Sequence, residues 1–498
     1  MTERESGIKG GKEDNLTAGA RGGAVAFVLK TSSTLLSFLN QIILARILGA
    51  GGLGEVMLAL SVINISAMLA KFGMEGAMMR FIPLYIEKGD EARLKGTIYF
   101  ALKFCIMLSV FFVFLVWLSS GFISASVFHS EGLLKLLPIA AVAIPANVLY
   151  DVTGGILRGY RETFRALLPQ FLISPFLRLV IFLLLSIRGG TPFYAVTAFV
   201  AGEIIAMFFS LKFLSAKTGK IGTRVRKSEY REVLDVAFTM IFTGLSLFLF
   251  TQADIWIVGM FTTTESVGIY GVTVRLVTLV AFSLGAFSTI IPPIMSSVHA
   301  SGDMNELKRV VRESTRWILS TAMPIILILT LEGNLILKYF FGDEFISGYT
   351  ALLILCAGQL INAGSGLVGY LLQMTGGHRS LMKITVFWGI LNVLLNTVLV
   401  PVWGIAGAAL STSFCLAMVN VTAVFVVYRK LSVYTLAKGA GFDMIFIAGV
   451  AAGYAVCTYS GYPAGQHLLL AAALVIYISR AVYNNDLPWR LLLRGGKP

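Results

Sequence analysis

From Ala24 to Arg480 the chain is a succession of apolar runs separated by short polar gaps. A membrane-spanning helix needs about 20 largely apolar residues. The runs predict spans at 24–47, 55–76, 97–118, 136–157, 169–187, 193–214, 236–259, 267–293, 314–334, 347–372, 382–400, 404–427, 442–460 and 465–482. No gap is long enough for a separate soluble domain. The fold class is therefore an all-α polytopic membrane protein with about 14 transmembrane helices.

Charge adds an orientation. An even number of spans returns the chain to its starting side, and Lys and Arg favour the cytoplasm. Of the 40 Lys and Arg, 31 fall on the N-terminal tail, the even-numbered connections with the span ends adjoining them, and the C-terminus. The opposite connections hold four, namely Arg46, Lys135, Arg188 and Lys338. Both termini are therefore expected in the cytoplasm and the protein in the cell membrane. The formal net charge of +14 is explained by this bias, and no nucleic-acid partner is expected. Composition agrees: 57% of residues are hydrophobic, 13% are charged and the mean hydropathy is +0.82. Soluble domains carry roughly 25% charge. All four cysteines (Cys105, Cys356, Cys415, Cys457) lie inside apolar runs and read as packing thiols. Residues Met1–Arg21 are polar and mixed in charge, and the run after them is too long for a cleaved signal peptide.

A faint internal repeat organises the spans. A shift of 214 residues superposes Leu53–Val56 (LGEV) on Val267–Tyr270 (VGIY) and Asn40 on Asp254. A shift of 213 superposes Lys88–Leu94 on Ser301–Leu307. Copies separated by an even number of spans share one orientation, as in transporters that hold substrate between parallel halves and rock them. The expected organisation is a tail at 1–23, a six-helix lobe at 24–214, a basic linker at 215–235, a second six-helix lobe at 236–428, helices 13–14 at 429–484 and a tail at 485–498.

The stretch Asn40–Tyr85 (NQIILARILGAGGLGEVMLALSVINISAMLAKFGMEGAMMRFIPLY) resembles the opening of the polysaccharide-transporter family, the Wzx-type flippases, in its Arg-x-Leu-Gly turn and its Phe-Gly, acidic and Arg-Phe positions. Thr251–Leu276 (TQADIWIVGMFTTTESVGIYGVTVRL) looks like the same family's seventh helix and following turn. The resemblance implies two parallel six-helix lobes around a central cavity plus two C-terminal helices that line a groove for a lipid tail. It also implies alternating-access translocation of a polyprenyl-(pyro)phosphate-linked oligosaccharide from the cytoplasmic to the outer leaflet. Membrane lipids and other polysaccharide-assembly proteins are the partners so implied, and the chain is expected to work as a monomer.

Ionisable residues inside spans cost on the order of 2.5–3.5 kcal/mol each and usually face a cavity or a partner. They are Lys30, Lys71, Glu75, Lys103, Asp151, Arg178, Glu203, Asp254 and Arg275. Lys or Arg in a water-filled cavity would attract a pyrophosphate, Arg bidentately. Lys30, Arg178 and Arg275 are thus candidate substrate contacts, joined by Asn40, Gln41 and Asp254. The alternative for each cation is a partner among Asp151, Glu203 and Asp254, or an interface to which it snorkels, as expected of Lys71 and Lys103. Glu75, Arg80, Asp151 and Glu203 are candidates for a gate or for coupling, Glu75 and Arg80 otherwise forming an ion pair at the helix end. Carboxylates of this kind can bind a proton or Na⁺, so coupling to H⁺ or Na⁺ is open. No cofactor is expected. Gly49–Gly54 fits G-x-G-x-x-G but follows a run of membrane length rather than a strand, and reads as a turn. No Walker A sequence occurs. A cation-coupled multidrug exporter is the alternative function. A membrane-embedded polymerase or ligase fits poorly, because the outer connections are short and the four histidines are scattered.

Overall fold

A computed structural model describes residues 2–219, 227–288, 290–435, 446, 449–450, 452–454, 456–457 and 463–483. Among these, every regular element is a helix, and eight are long and apolar enough to cross a membrane. A ninth is the pair α4 (Glu131–Ala141) and α5 (Ala143–Gly159), bent by 45°. Two of the helices are bent hairpins rather than rods. Helix α1 (Thr2–Lys71) breaks at Gly49 (φ 68°, ψ −177°), and α16 (His378–Leu431) breaks at Gly404 (φ 55°, ψ −134°). Each break falls where one apolar run meets the next, and each needs a left-handed φ that glycine adopts at least cost. The expected thirteenth span lies largely outside the described residues, and the tail at 485–498 entirely so. Helices run into both ends of the expected linker, α8 (Pro192–Thr218) from one side and α9 (Lys227–Phe261) from the other.

The chain divides into two compact units, Met1–Gly268 and Ile269–Pro498. In the first, α5 is the central helix, packed by α1, α2 (Met74–Glu87), α3 (Glu91–Phe122) and α8. All its residues are buried except Pro145, Asn147 and Arg158. Small residues let helices approach closely where lipid provides no hydrophobic drive between them. Accordingly, a Cβ at Gly155 would lie 2.5 Å from the carbonyl oxygen of Glu75, and one at Gly159 would lie 2.7 Å from Ile82 Cβ. Gly155→Ala presses a methyl group against backbone that cannot swing aside. Overpacking of this kind costs about 1–3 kcal/mol, and a lower melting temperature in detergent is the expected reading. Gly121→Ala, where a Cβ meets nothing within 4 Å, leaves melting unchanged. Along α3 one face is bare: Met107, Val110, Phe111, Phe114, Trp117 and Leu118 are exposed, Leu118 by 76%. Such a face belongs against lipid.

At one end of the unit Glu162 precedes α6 (Thr163–Leu168) and accepts a 2.9 Å hydrogen bond from Lys217 Nζ near the end of α8. That bond holds the Glu162 carboxyl below its ordinary value. A lowered folded value means that the contribution to stability is present above the unfolded pKa and is lost as pH falls through the folded one. Glu162→Gln is therefore expected to lower the melting temperature at pH 7, with the difference from the unmodified protein closing as pH falls below the ordinary carboxylate range.

In the second unit α12 (Met304–Leu331), α14 (Tyr349–Ser365) and α16 form the core. Helix α17 (Pro463–Tyr483), expected as an appendix, docks on α12 through Leu470 and Ala473 against Leu327 and Leu331, with Val450 in the same cluster. His467 Nδ1 lies 2.7 Å from Glu332 Oε1 beside that contact.

Candidate functional site

Most in-span charges of the first unit satisfy one another. Helix α1 ends at Lys71, the chain turns at Phe72 (φ 48°) and Gly73 (φ 71°), and α2 begins at Met74. This turn carries Lys71 and Glu75 towards α5. Lys71 Nζ lies 2.7 Å from Asp151 Oδ2 and 3.7 Å from Glu75 Oε2, and Arg158 closes the chain by pairing with the other Glu75 oxygen. Lys71 thus does not snorkel, because a 7%-exposed carboxylate stands within its reach. Nor does Glu75 pair with Arg80. Residues five apart on a helix point about 140° away from each other, and Arg80 instead lies 5.8 Å from the centre of the Phe81 ring. Arg158 was not among the candidates, being one residue beyond its predicted span. Its position seven after Asp151 puts both on one face of a helix, and that spacing was the available signal.

A second set joins α7 (Ser174–Leu185) to α8. Gly202 allows the close approach, since a Cβ there would lie 3.0 Å from Arg178 Cγ. Arg178 then pairs with the fully buried Glu203 at 2.5 Å, its Nε donates to Ser174 Oγ at 3.0 Å, and Ser174 Oγ donates to Glu203 Oε1 at 3.0 Å. The guanidinium also lies 4.4 Å from the centre of the Phe199 ring. Of the two alternatives for this cation, the geometry supplies the ion pair. Tyr150 stands between the two sets, near Glu203, Asp151 and Arg178, and Asn147 Nδ2 donates to its hydroxyl at 3.1 Å.

The remaining candidates separate by whether their donors are used. Asn40 Nδ2 donates to the carbonyl of Pro175 at 2.9 Å and to that of Leu36 at 3.0 Å, which ties α1 to α7. Asp254 is buried on α9 with 6% exposure. Gln41 Nε2 is buried and has no hydrogen-bond partner among the described residues. Lys30 is exposed on α1 and makes no ion pair among the described residues. Arg275, on α10 (Thr264–Phe287) in the second unit, makes no ion pair among the described residues either, and its Nε is buried without an acceptor. Among the described residues of the second unit no carboxylate is buried as Asp151 and Glu203 are, and its buried polar groups are hydroxyls and amides. Asn362 Nδ2 donates to Gln359 at 2.9 Å, Asn420 Nδ2 to Asn362 at 3.1 Å, and Asn392 Nδ2 to Thr412 at 3.3 Å.

The polysaccharide biosynthesis protein family matches the chain over residues 43–349. A relative in Haloferax volcanii, Agl15, named as a probable low-salt glycan biosynthesis flippase, is 23% identical over 427 residues, covering 80% of this chain and 81% of its own. Among solved structures, the lipid II flippase MurJ in an inward closed conformation superposes with a TM-score of 0.72 at 17% identity, covering 93% of this chain and 99% of its own. An inward-facing multidrug resistance MATE family transporter gives 0.62 at 15% identity, covering 82% and 98%. Identities this low establish the fold, which is the MurJ- and MATE-like transporter fold.

Proposed function

The chain belongs to the polysaccharide biosynthesis protein family, and on that premise we propose that it is a flippase for a polyprenyl-(pyro)phosphate-linked oligosaccharide. It carries the cargo from the cytoplasmic to the outer leaflet by alternating access, with both termini in the cytoplasm. The observation that supports this reading most is Arg275, a half-buried in-span cation that no carboxylate of the described residues neutralises. An unpaired charge at such a position is costly and marks a substrate path. An anionic pyrophosphate is the counter-ion that Arg275 lacks, and a guanidinium takes two phosphate oxygens at once. Gln41, whose amide donor has no partner among the described residues, and Lys30, exposed and without an ion pair among them, are further contacts for phosphate or sugar oxygens. Arg178 is set aside, because its charge is spent on Glu203. Cationic cargo of the kind a drug exporter handles would be repelled at Arg275.

Purified protein in liposomes carrying a fluorescent polyprenyl-pyrophosphate oligosaccharide tests the reading. Transfer of label between leaflets, above protein-free vesicles and slowed by unlabelled substrate, is the expected result. Absence of transfer for every lipid-linked oligosaccharide of the host, with protein that is folded and inserted, would sink it.

A further inference from the structure

Two helices of the second unit are interrupted, and the segments that follow the breaks pack together. Helix α10 stops at Phe287, and Pro292 and Pro293, which have no N–H to carry its hydrogen-bond ladder onward, open α11 (Ile291–Ala300). Helix α14 stops before Gly366 (φ 63°), and α15 (Val368–Met374) follows. Interrupted helices of this kind border binding sites in transporters. Where α11 meets α15 there is a cavity of about 600 Å³, whose lining includes Ser288, Ser296, Ser297, Tyr370 and Gln373. Small-molecule sites occupy about 300–1,000 Å³. Among the described residues no charged side chain lines the cavity. The side chains of Ser296, Ser297, Tyr370 and Gln373 make no hydrogen bond among the described residues, and the Tyr370 ring, 38% exposed, stacks on no other ring among them.

We propose that this cleft is a loading site for neutral sugar units of the cargo. A sugar ring carries hydroxyls around an apolar face of C–H groups. An aromatic face, negative at its centre, takes the C–H side. Hydroxyls and an amide both donate and accept, so they meet sugar hydroxyls in either sense. An anion finds no counter-charge here, and a hydrocarbon chain would leave the four polar groups without partners. Arg275 lies on α10 thirteen residues before Ser288. A rise of 1.5 Å per residue sets the two about 20 Å apart along the helix, so a pyrophosphate held at the arginine leaves its glycan free to extend towards the cleft. The connection after α11 is one of those that the Lys and Arg bias assigns to the cytoplasm, the side on which cargo is loaded. The assignment rests on the flippase reading for the identity of the cargo, and adds to it the place where the glycan is held.

The test separates the glycan from the rest of the cargo. Oligosaccharide released by mild acid from the host's lipid-linked pool, and so free of lipid and pyrophosphate, is titrated calorimetrically into the full chain in lipid nanodiscs. Saturable binding is expected. Tyr370→Ala weakens it about tenfold or more, whereas Tyr370→Phe, which keeps the ring, weakens it about threefold or less. Gln373→Ala weakens it about three- to tenfold. Both side chains are exposed, so the variants fold. Trp403→Ala, which removes a 55%-exposed ring outside the cleft, leaves the affinity unchanged. In the liposome assay Tyr370→Ala raises the cargo concentration at half-maximal transfer and keeps the maximal rate. Absence of saturable binding to the unmodified protein, or equal affinity in Tyr370→Ala and Gln373→Ala, would overturn the proposal. Transfer in liposomes without glycan binding that depends on Tyr370 defeats this proposal alone, and such binding without transfer defeats the flippase reading alone.

Discussion

Arg178→Ala will strip the counter-ion from a carboxylate that has no solvent exposure. Glu203 is fully buried, accepts from Arg178 and Ser174, and has a second oxygen with no hydrogen-bond partner among the described residues. Removing one member of a buried pair costs about 3–5 kcal/mol, because the other is left charged and dry. The cell should hold far less of the variant, and what can be purified should melt earlier. Glu203→Gln in the same chain should recover most of the loss, since a neutral amide no longer needs the guanidinium. Abundance by immunoblot and melting in detergent measure both steps. Normal abundance of the single variant with loss of transport would instead return Arg178 to the substrate path.

Arg275→Gln has the opposite profile. No ion pair among the described residues is broken by it, and an in-span cation costs on the order of 2.5–3.5 kcal/mol to keep. Abundance and melting temperature should therefore hold or rise. Transport should fall by about ten- to a hundredfold, the worth of hydrogen bonds to a charged group at about 1.5–3 kcal/mol. Arg275→Lys should recover only part of it, because an ammonium keeps the charge and loses the two-pronged geometry. The initial rate of leaflet transfer per folded carrier is the measurement. Transport unchanged in Arg275→Gln would remove this residue from the path. Between them, the two arginines distinguish a charge kept for the fold from a charge kept for cargo.

The apolar runs located the helices because each span obeys a local rule, that its backbone bonds be made within it and its length match the bilayer. The turns at Gly49 and Gly404 were legible for the same reason, falling where one run ends and the next begins. The expected Glu75–Arg80 pair failed for want of rotation. Proximity in sequence suggested contact, while five residues of helix turn the two side chains apart, and Arg158, 83 residues away, took the place of Arg80. Helix α17 looked like an appendix because it has no repeat partner. Its contacts with α12 are apolar packing and one His–Glu pair, neither of which has a signature along the chain.

By itself the sequence determined that the protein is helical and membrane-spanning, where most spans lie, and which residues carry charge into the membrane. Only the tertiary structure decided which of those charges cancel. Lys71 with Asp151 and Arg178 with Glu203 are neutralised across 80 and 25 residues of chain, while Arg275 is left without an ion-pair partner among the described residues. The physical reason is that a hydropathy pattern specifies the length of each helix and the side it buries. The depth and rotation at which one helix meets another are set by close packing such as that at Gly155 and Gly202. An ion pair forms or fails within a few ångströms of that setting.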